Sequence, residues 1–197
     1  AAPPSVIRGA LNGAIAELYQ ENPTQFGKII SKYWDKWIFN AIKEAHSEKE
    51  YSNFDRQSRI RFGHVGDGAA YPLFMNFIAS KVKKYSNGRV QPIIYTRHRS
   101  AKYLDSDLFV INFTLDPTSE DRYVFAPPDS RIVYSAFGGQ TSEKAEINFL
   151  EHHRFEHFDQ VGKGSVCPAT VPDTKDRTCD GLACNKCFVK PEIKFSI

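Results

Sequence analysis

Four cysteines carry the clearest chemical pattern in this chain: Cys167, Cys179, Cys184 and Cys187. All lie in the stretch 166–188, VCPATVPDTKDRTCDGLACNKCF, and the 197 residues hold no others. Core cysteines would be scattered rather than gathered in one polar segment rich in Pro, Asp and Gly. Such a segment buries too little apolar surface to offset the entropy of ordering it. Four thiolates on one ion would supply what burial does not. Cys184-Asn-Lys-Cys187 is a C-x2-C knuckle, which turns two sulfurs toward one centre. Cys179-x4-Cys184-x2-Cys187 also has the spacing of plant-type ferredoxins, with the fourth ligand here preceding the trio. The set suits a tetrahedral zinc or an iron–sulfur cluster, and spacing alone does not choose between them. Two disulfides, or free thiols, are the competing readings.

A second set of chemical residues depends on the elements that would position it. The segment 59–65, RIRFGHV, reads as a strand, and 71–85 as a helix with Gly88 just past its end. VQPIIYT at 90–96 is a second strand, whose Pro92 belongs at a sheet rim. LFVINFTL at 108–115 is a third, strongly apolar strand. Segments 123–126 and 131–134 read as two further strands, 142–150 as a short helix, and 161–166 as a last strand leading into Cys167. Strand–helix–strand order with apolar strands predicts an α/β fold with a mostly parallel sheet or a partial barrel.

In such folds ligands bind beyond the carboxyl ends of the strands. That places His64 and Asp67 after the first strand and Thr96, Arg97, His98 and Arg99 after the second. Asp116 follows the third. Gly66 and Gly68 flank Asp67, an arrangement that lets backbone N–H groups approach an anion. His64 or Asp67 would transfer protons, while Arg97, His98 and Arg99 would hold an anionic substrate. A second cluster, EHHRFEH at 151–157, would put His153 and His157 one helical turn apart. It lacks the H-E-x-x-H order and reads as a solvated surface.

Ahead of the sheet, 5–19 and 24–47 read as helices broken at Asn22-Pro23-Thr24. The second carries Phe26, Ile29, Ile30, Tyr33, Trp34, Trp37, Ile38, Ala41, Ile42 and Ala45 at helical spacing, with both tryptophans read as core anchors. Lys28, Lys32, Lys36 and Lys43 lie off that stripe, as a solvated face. The expected organisation is 1–50 as N-terminal helices packed on the sheet, 51–160 as the α/β core and 161–197 as the Cys-rich metal-binding tail, in one compact domain.

Composition bounds the partners. At 41% hydrophobic residues the chain can form a core, and a net charge of +3 permits a nucleic-acid partner without demanding one. Four cysteines in 197 residues do not make a disulfide-dense scaffold. The start, AAPPSVIRGALNGAIAELYQ, lacks signal-peptide character and an initiator Met, so it is expected to be processed or trimmed. No apolar run is long enough to span a membrane. A cytoplasmic location is expected.

RIRFGHVGDGAAY, the following helix, IIYTRHR, DLFVINFTLD and the closing VCPAT…CDGLACNKCF together resemble a phage-encoded family, the gene-product-eighty-eight-like proteins. The matching positions are His64, Gly66, Asp67, Tyr95, Thr96, Arg97, Cys167, Pro168, Cys179, Cys184 and Cys187. The likeness covers roughly the last two-thirds of the chain and rests on the order of its motifs. It implies a partial α/β barrel similar to those of radical-SAM enzymes, acting in a host-cell cytosol. Those enzymes carry an early C-x3-C-x2-C, whereas this chain has no cysteine before Cys167.

Two functions of different class follow. One is a metalloenzyme, with iron–sulfur favoured over zinc, acting on a phosphate-bearing or nucleic-acid-related substrate at the strand-end rim. The other is a non-catalytic module, pinned by zinc, whose basic and aromatic residues bind nucleic acid or protein.

Overall fold

Proline and asparagine set the first joint of the chain. The computed structural model describes residues 4–51, 58–63, 67–136, 141–150, 166–167, 186–188 and 190–191. Helix α1 (Pro4–Glu21) gives way to helix α2 (Pro23–Tyr51) at Asn22. The Asn22 side-chain oxygen accepts from the Gln25 amide at 3.0 Å, capping α2, while Pro23 occupies its first turn. The α1 helix begins at Pro4, so Ser5 lies inside it rather than capping it.

Beyond the helices, five strands form one sheet: β1 (Ser58–Phe62), β2 (Val90–Thr96), β3 (Val110–Leu115), β4 (Arg131–Ala136) and β5 (Ile147–Leu150). Their spatial order is their sequence order, and every pair is parallel. The expected α/β class and parallel sheet are therefore present. Pro92 faces Ile60 of β1, and β3 joins β2 only from Ile93 onward. The missing amide thus falls where β2 has one neighbour, as its chemistry requires.

Right-handed crossovers between consecutive parallel strands all return on the same side. Helix α3 (Pro72–Tyr85) supplies the first, ending in Gly88 with φ 73° and the Gly88 amide bonded to the Lys83 carbonyl at 2.8 Å. Shorter 3-10 turns at Arg99–Tyr103 and Glu120–Phe125 lie in the next two. Alternation along the strands then assigns the faces. Ile94, Ile111, Phe113, Leu115, Ile132 and Tyr134 pack with α2 and α3 residues in one core. Each such fully buried aliphatic or aromatic side chain contributes about 1.5–3 kcal/mol. Tyr95, Asn112 and Arg131 are register partners on the opposite face.

Several sequence expectations give way here. Tyr123 to Ala126 is not a strand: Tyr123, Val124 and Phe125 lie in a 3-10 turn, which bridges β3 to β4. The segment 142–150 is not a helix but a turn followed by β5, because Ile147 and Phe149 alternate into the sheet. Of the proposed strand at 161–166, Val166 makes a single parallel bridge to Asn148, and 161–165 lie outside the described residues. On α2 the buried stripe is Ile30, Trp34, Ile38, Ile42 and Ala45. Trp37 stands beside it at 45% exposure, touching Trp34 edge-on, and Ile29 is 66% exposed. The core of this helix is narrower than the apolar pattern. Lys28, Lys32, Lys36 and Lys43 are exposed, as read. No helix among the described residues is long and apolar enough to cross a membrane.

The two tryptophans should therefore separate in a urea titration. Trp34→Ala is expected to destabilise by about 3–5 kcal/mol, and Trp37→Ala by about 1 kcal/mol, from its edge contact. Equal midpoint shifts would show that Trp37 is buried after all.

Candidate functional site

The rim at the strand ends is tied together by one carboxylate. Asp67 precedes a 3-10 turn at Gly68–Ala70 and caps it, its Oδ1 accepting from the Ala69 amide at 3.1 Å. The same oxygen accepts from Thr96 Oγ1 at 2.6 Å, and Oδ2 accepts from the Arg97 amide at 3.0 Å. Asp67 thus joins the turn after β1 to the end of β2. Three donors on one carboxylate hold it as an anchor and leave one lone pair of Oδ2 open. Gly68 lies where an added Cβ would meet Met75 Sδ at 3.2 Å, so its missing side chain lets the turn close on α3.

Arg97 reaches the next strand end. Its Nη1 donates to Asp116 Oδ2 at 2.6 Å, while 47% of its side chain stays exposed. Asp116 is buried and receives further bonds from the Thr118 amide and from the Thr118 and Ser119 hydroxyls. Burial alone would raise its carboxyl pKa. The Thr118 and Ser119 hydrogen bonds, with the Arg97 charge, outweigh that and lower it. Beside it, Tyr134 donates to Glu120 Oε1 at 3.1 Å, and burial with the Glu120 and Asp116 charges pushes its phenol up to about 12. Tyr134 is therefore a fixed donor across neutral pH.

His98 belongs to the same rim. Its amide donates to Thr96 Oγ1 at 3.0 Å, and its Nδ1 accepts from the Ser100 amide at 3.2 Å. In the neutral ring this leaves the proton on Nε2. Arg99 and Lys102 are exposed in the following turn, where Lys102 Nζ lies 5.0 Å from the ring of Tyr103. The structure thus brings together Asp67, Thr96, Arg97, His98 and Asp116. His64 and Gly66 lie outside the described residues, as do His153 and His157.

A different centre forms on the sheet face opposite the helices. Cys167 and Cys187, far apart in the tail, are 6% and 7% exposed and share one buried cluster with Ile147, Tyr95 and Phe149. The Cys167 amide donates to the Asn148 carbonyl at 2.8 Å, continuing the Val166 bridge beside β5. Cys187 lies in a 3-10 turn at Lys186–Phe188, and its carbonyl accepts from Asn112 Nδ2 at 3.0 Å. Lys186 Nζ donates to the Glu146 carbonyl at 3.3 Å, and Lys190 Nζ lies 3.6 Å from Asp107 Oδ1. The tail segment therefore crosses the sheet from before β5 to before β3.

Two thiols in an apolar, water-poor cluster fit a thiolate-bound zinc or iron–sulfur centre, for which water exclusion and soft donors are what the group requires. Cys179 and Cys184 lie outside the described residues, and among the described residues no group of three or more His, Cys, Asp and Glu side chains could hold an ion.

Sequence reading missed the polar residues beneath this cluster. Asn112 interrupts an apolar strand, which is the signal that marks it, whereas Arg131 opens β4 and its pairing with Asn112 depends on register. A third cluster is excluded as a nucleophile. Lys81 Nζ lies 2.5 Å from Ser31 Oγ, the arrangement of a serine–lysine dyad. Burial would lower the Lys81 pKa, but Asp35 and Tyr85 outweigh that and raise it. A lysine held protonated does not deprotonate serine. It clamps α2 to α3 through Asp35 at 2.6 Å instead.

Comparisons with protein families, with curated proteins and with solved structures return no match for this chain.

The Asp116 shift gives the rim a pH signature. A carboxyl with a depressed folded pKa adds stability that is complete above its unfolded pKa and is lost as pH falls through the folded one. Asp116→Asn should flatten the acid limb of the stability–pH curve, below the ordinary carboxylate range, measured by urea midpoints. An acid limb as steep as that of the wild type would place the proton uptake elsewhere.

Proposed function

We propose that this chain is a metal-centred α/β protein of the gene-product-eighty-eight-like kind, phage-encoded and working in a host-cell cytosol. In this reading Cys167, Cys179, Cys184 and Cys187 hold one iron–sulfur cluster or zinc. A phosphate-bearing or nucleic-acid-related ligand binds across the rim formed by Arg97, His98 and Arg99. The observation that carries the reading is the convergence of Cys167 and Cys187 in one buried cluster on the face the helices leave open. When bound, an iron–sulfur cluster supplies electron transfer and zinc supplies a structural clip.

The chain's own residues divide the remaining work. Arg97, oriented by Asp116, presents a half-exposed guanidinium suited to bidentate contact with an oxyanion. His98, half-buried, has its Nδ1 engaged by the Ser100 amide, and Arg99 adds exposed charge. Asp67 fixes the backbone of this group through Arg97 and Ala69. In an enzymatic reading, proton transfer falls to His64 or Asp67. Tyr95 and Thr96 are consecutive on β2: Tyr95 packs with the cysteine cluster, and Thr96 bonds to Asp67. The cysteine cluster and the rim are thereby joined through one strand.

A second reading draws support from Tyr103, which is 61% exposed beside Lys102. Base-stacking surfaces combine exposed aromatics with cations, and a zinc-clipped module binding nucleic acid would use this turn.

Elemental analysis with a visible spectrum, on anaerobically purified protein, tests the metal. One centre per chain is expected, lost in Cys184→Ser. Iron with sulfide supports the enzymatic reading and zinc the module. Metal-free protein with two disulfides contradicts both. For the rim, Arg97→Ala should weaken binding of a labelled oligonucleotide or of inorganic phosphate about tenfold or more, the scale of one charge-assisted contact. Unchanged binding would remove Arg97 from the ligand site.

A further inference from the structure

Asn112 and Arg131 occupy a place that the core does not explain. Both are buried, Asn112 within the central strand β3 at 0% and Arg131 at the start of β4 at 3% exposure. They are register partners, so their side chains lie side by side on the face opposite the helices. Arg131 Nη1 is 3.4 Å from Asn112 Oδ1, and Arg131 Nε is 3.5 Å from Glu146 Oε2. Glu146 keeps 37% of its side chain in solvent whereas the guanidinium keeps 3%. Burying a guanidinium against a sheet is expensive, and apolar residues of similar size would stabilise the sheet at least as well. The polar pair therefore points to a task beyond packing.

Their contacts identify it. Asn112 has its oxygen toward Arg131 and its Nδ2 donating to the Cys187 carbonyl at 3.0 Å. Arg131 thus fixes which way the amide points, and the amide fixes where the Cys187 turn sits. Lys186, next in the chain, donates to the carbonyl of Glu146, the residue whose carboxylate faces Arg131. The tail turn is consequently held at two successive residues by one connected set: Glu146, Arg131 and Asn112.

We propose that Asn112 and Arg131 are positioning residues, a polar dock that seats Cys187 on the sheet and places its sulfur for ligation. Its bearing on metal affinity rests on the metal-centre reading above, whereas the seating of Cys187 does not. The buried guanidinium has a further consequence. A centre with four thiolates carries net negative charge, and a positive group held in a water-poor site stabilises that charge more than one in solvent. Partners behind the ligands of metal sites typically change affinity about 10–100-fold when altered.

Asn112→Asp is the discriminating variant. It keeps the volume and gains a charge partner for Arg131, which favours folding, but it replaces the donor facing the Cys187 carbonyl with an acceptor. Alkylation of metal-free, reduced protein, resolved by residue in a mass spectrometer, reads the seating directly. Cys187 should react about tenfold faster or more in Asn112→Asp than in wild type, as expected from the loss of one buried hydrogen bond. Arg131→Gln should accelerate Cys187 in the same direction. Circular dichroism and a cooperative urea transition confirm that each variant folds. Cys187 reacting at the wild-type rate in both folded variants overturns the dock. Zinc competition with a chelator then reads the second consequence, with affinity expected to fall about 10–100-fold in both variants. If the wild type binds neither zinc nor a reconstituted iron–sulfur cluster while the variants still show the alkylation change, the metal reading is refuted and the dock stands.

Discussion

The order of the strands constrains everything else in this fold. Five parallel strands laid down in sequence order, with right-handed returns, send every crossover to the same side of the sheet. That side receives α2, α3 and the 3-10 turns, and its residues merge into one apolar core from Ile30 to Tyr134. The other side receives none of them. A central parallel strand is stable only when both its faces are covered, so the open face of β3 and β4 calls for another part of the chain. The tail segment at Lys186–Phe188 takes part in that covering, and its cysteine is the residue placed over the sheet.

Two regions of different chemistry follow from that asymmetry. At the strand ends, alternate residues of β2 and the adjoining turns bring together acids and bases, and most of the acids are consumed in holding the loops. Asp67 accepts three hydrogen bonds and Asp116 pairs with Arg97, so the exposed charge left at this rim is that of Arg97 and Arg99. On the open face the pattern is reversed. Thiols and aromatic rings lie in a dry cluster above a buried amide and guanidinium. The proposed anion site rests on the first region and the proposed metal centre on the second.

The sequence made some of this plain and hid the rest for physical reasons. VQPIIYT reads as a strand because its β-branched and aromatic residues leave no helical stripe, and the structure gives Val90–Thr96. The class and the rim followed from strand ends alone: Asp67, Thr96, Arg97 and His98 do meet. What single-sequence pattern could not supply was the use of each group. Asp67 looks the same in sequence whether it accepts three bonds or none. Ile147 and Phe149 were read into a helix because a four-residue strand is too short to show its period against a nearby turn. Trp37 lies 45% exposed because an apolar stripe on a helix can be wider than the surface it packs against. Asn112 is visible as a polar interruption of a strand and Arg131 as a charge at the start of another, but their pairing depends on register between strands, which only the fold fixes.

The claim on which the functional reading turns is that the tail closes the open face through one four-thiolate centre. X-ray absorption at the metal edge of protein purified without oxygen measures this directly. Four sulfur ligands at about 2.3 Å, from one metal centre per chain, are the expected result for zinc, and a sulfur shell with short iron–iron distances for a cluster. A first shell of nitrogen and oxygen, or no metal signal above buffer, would contradict it.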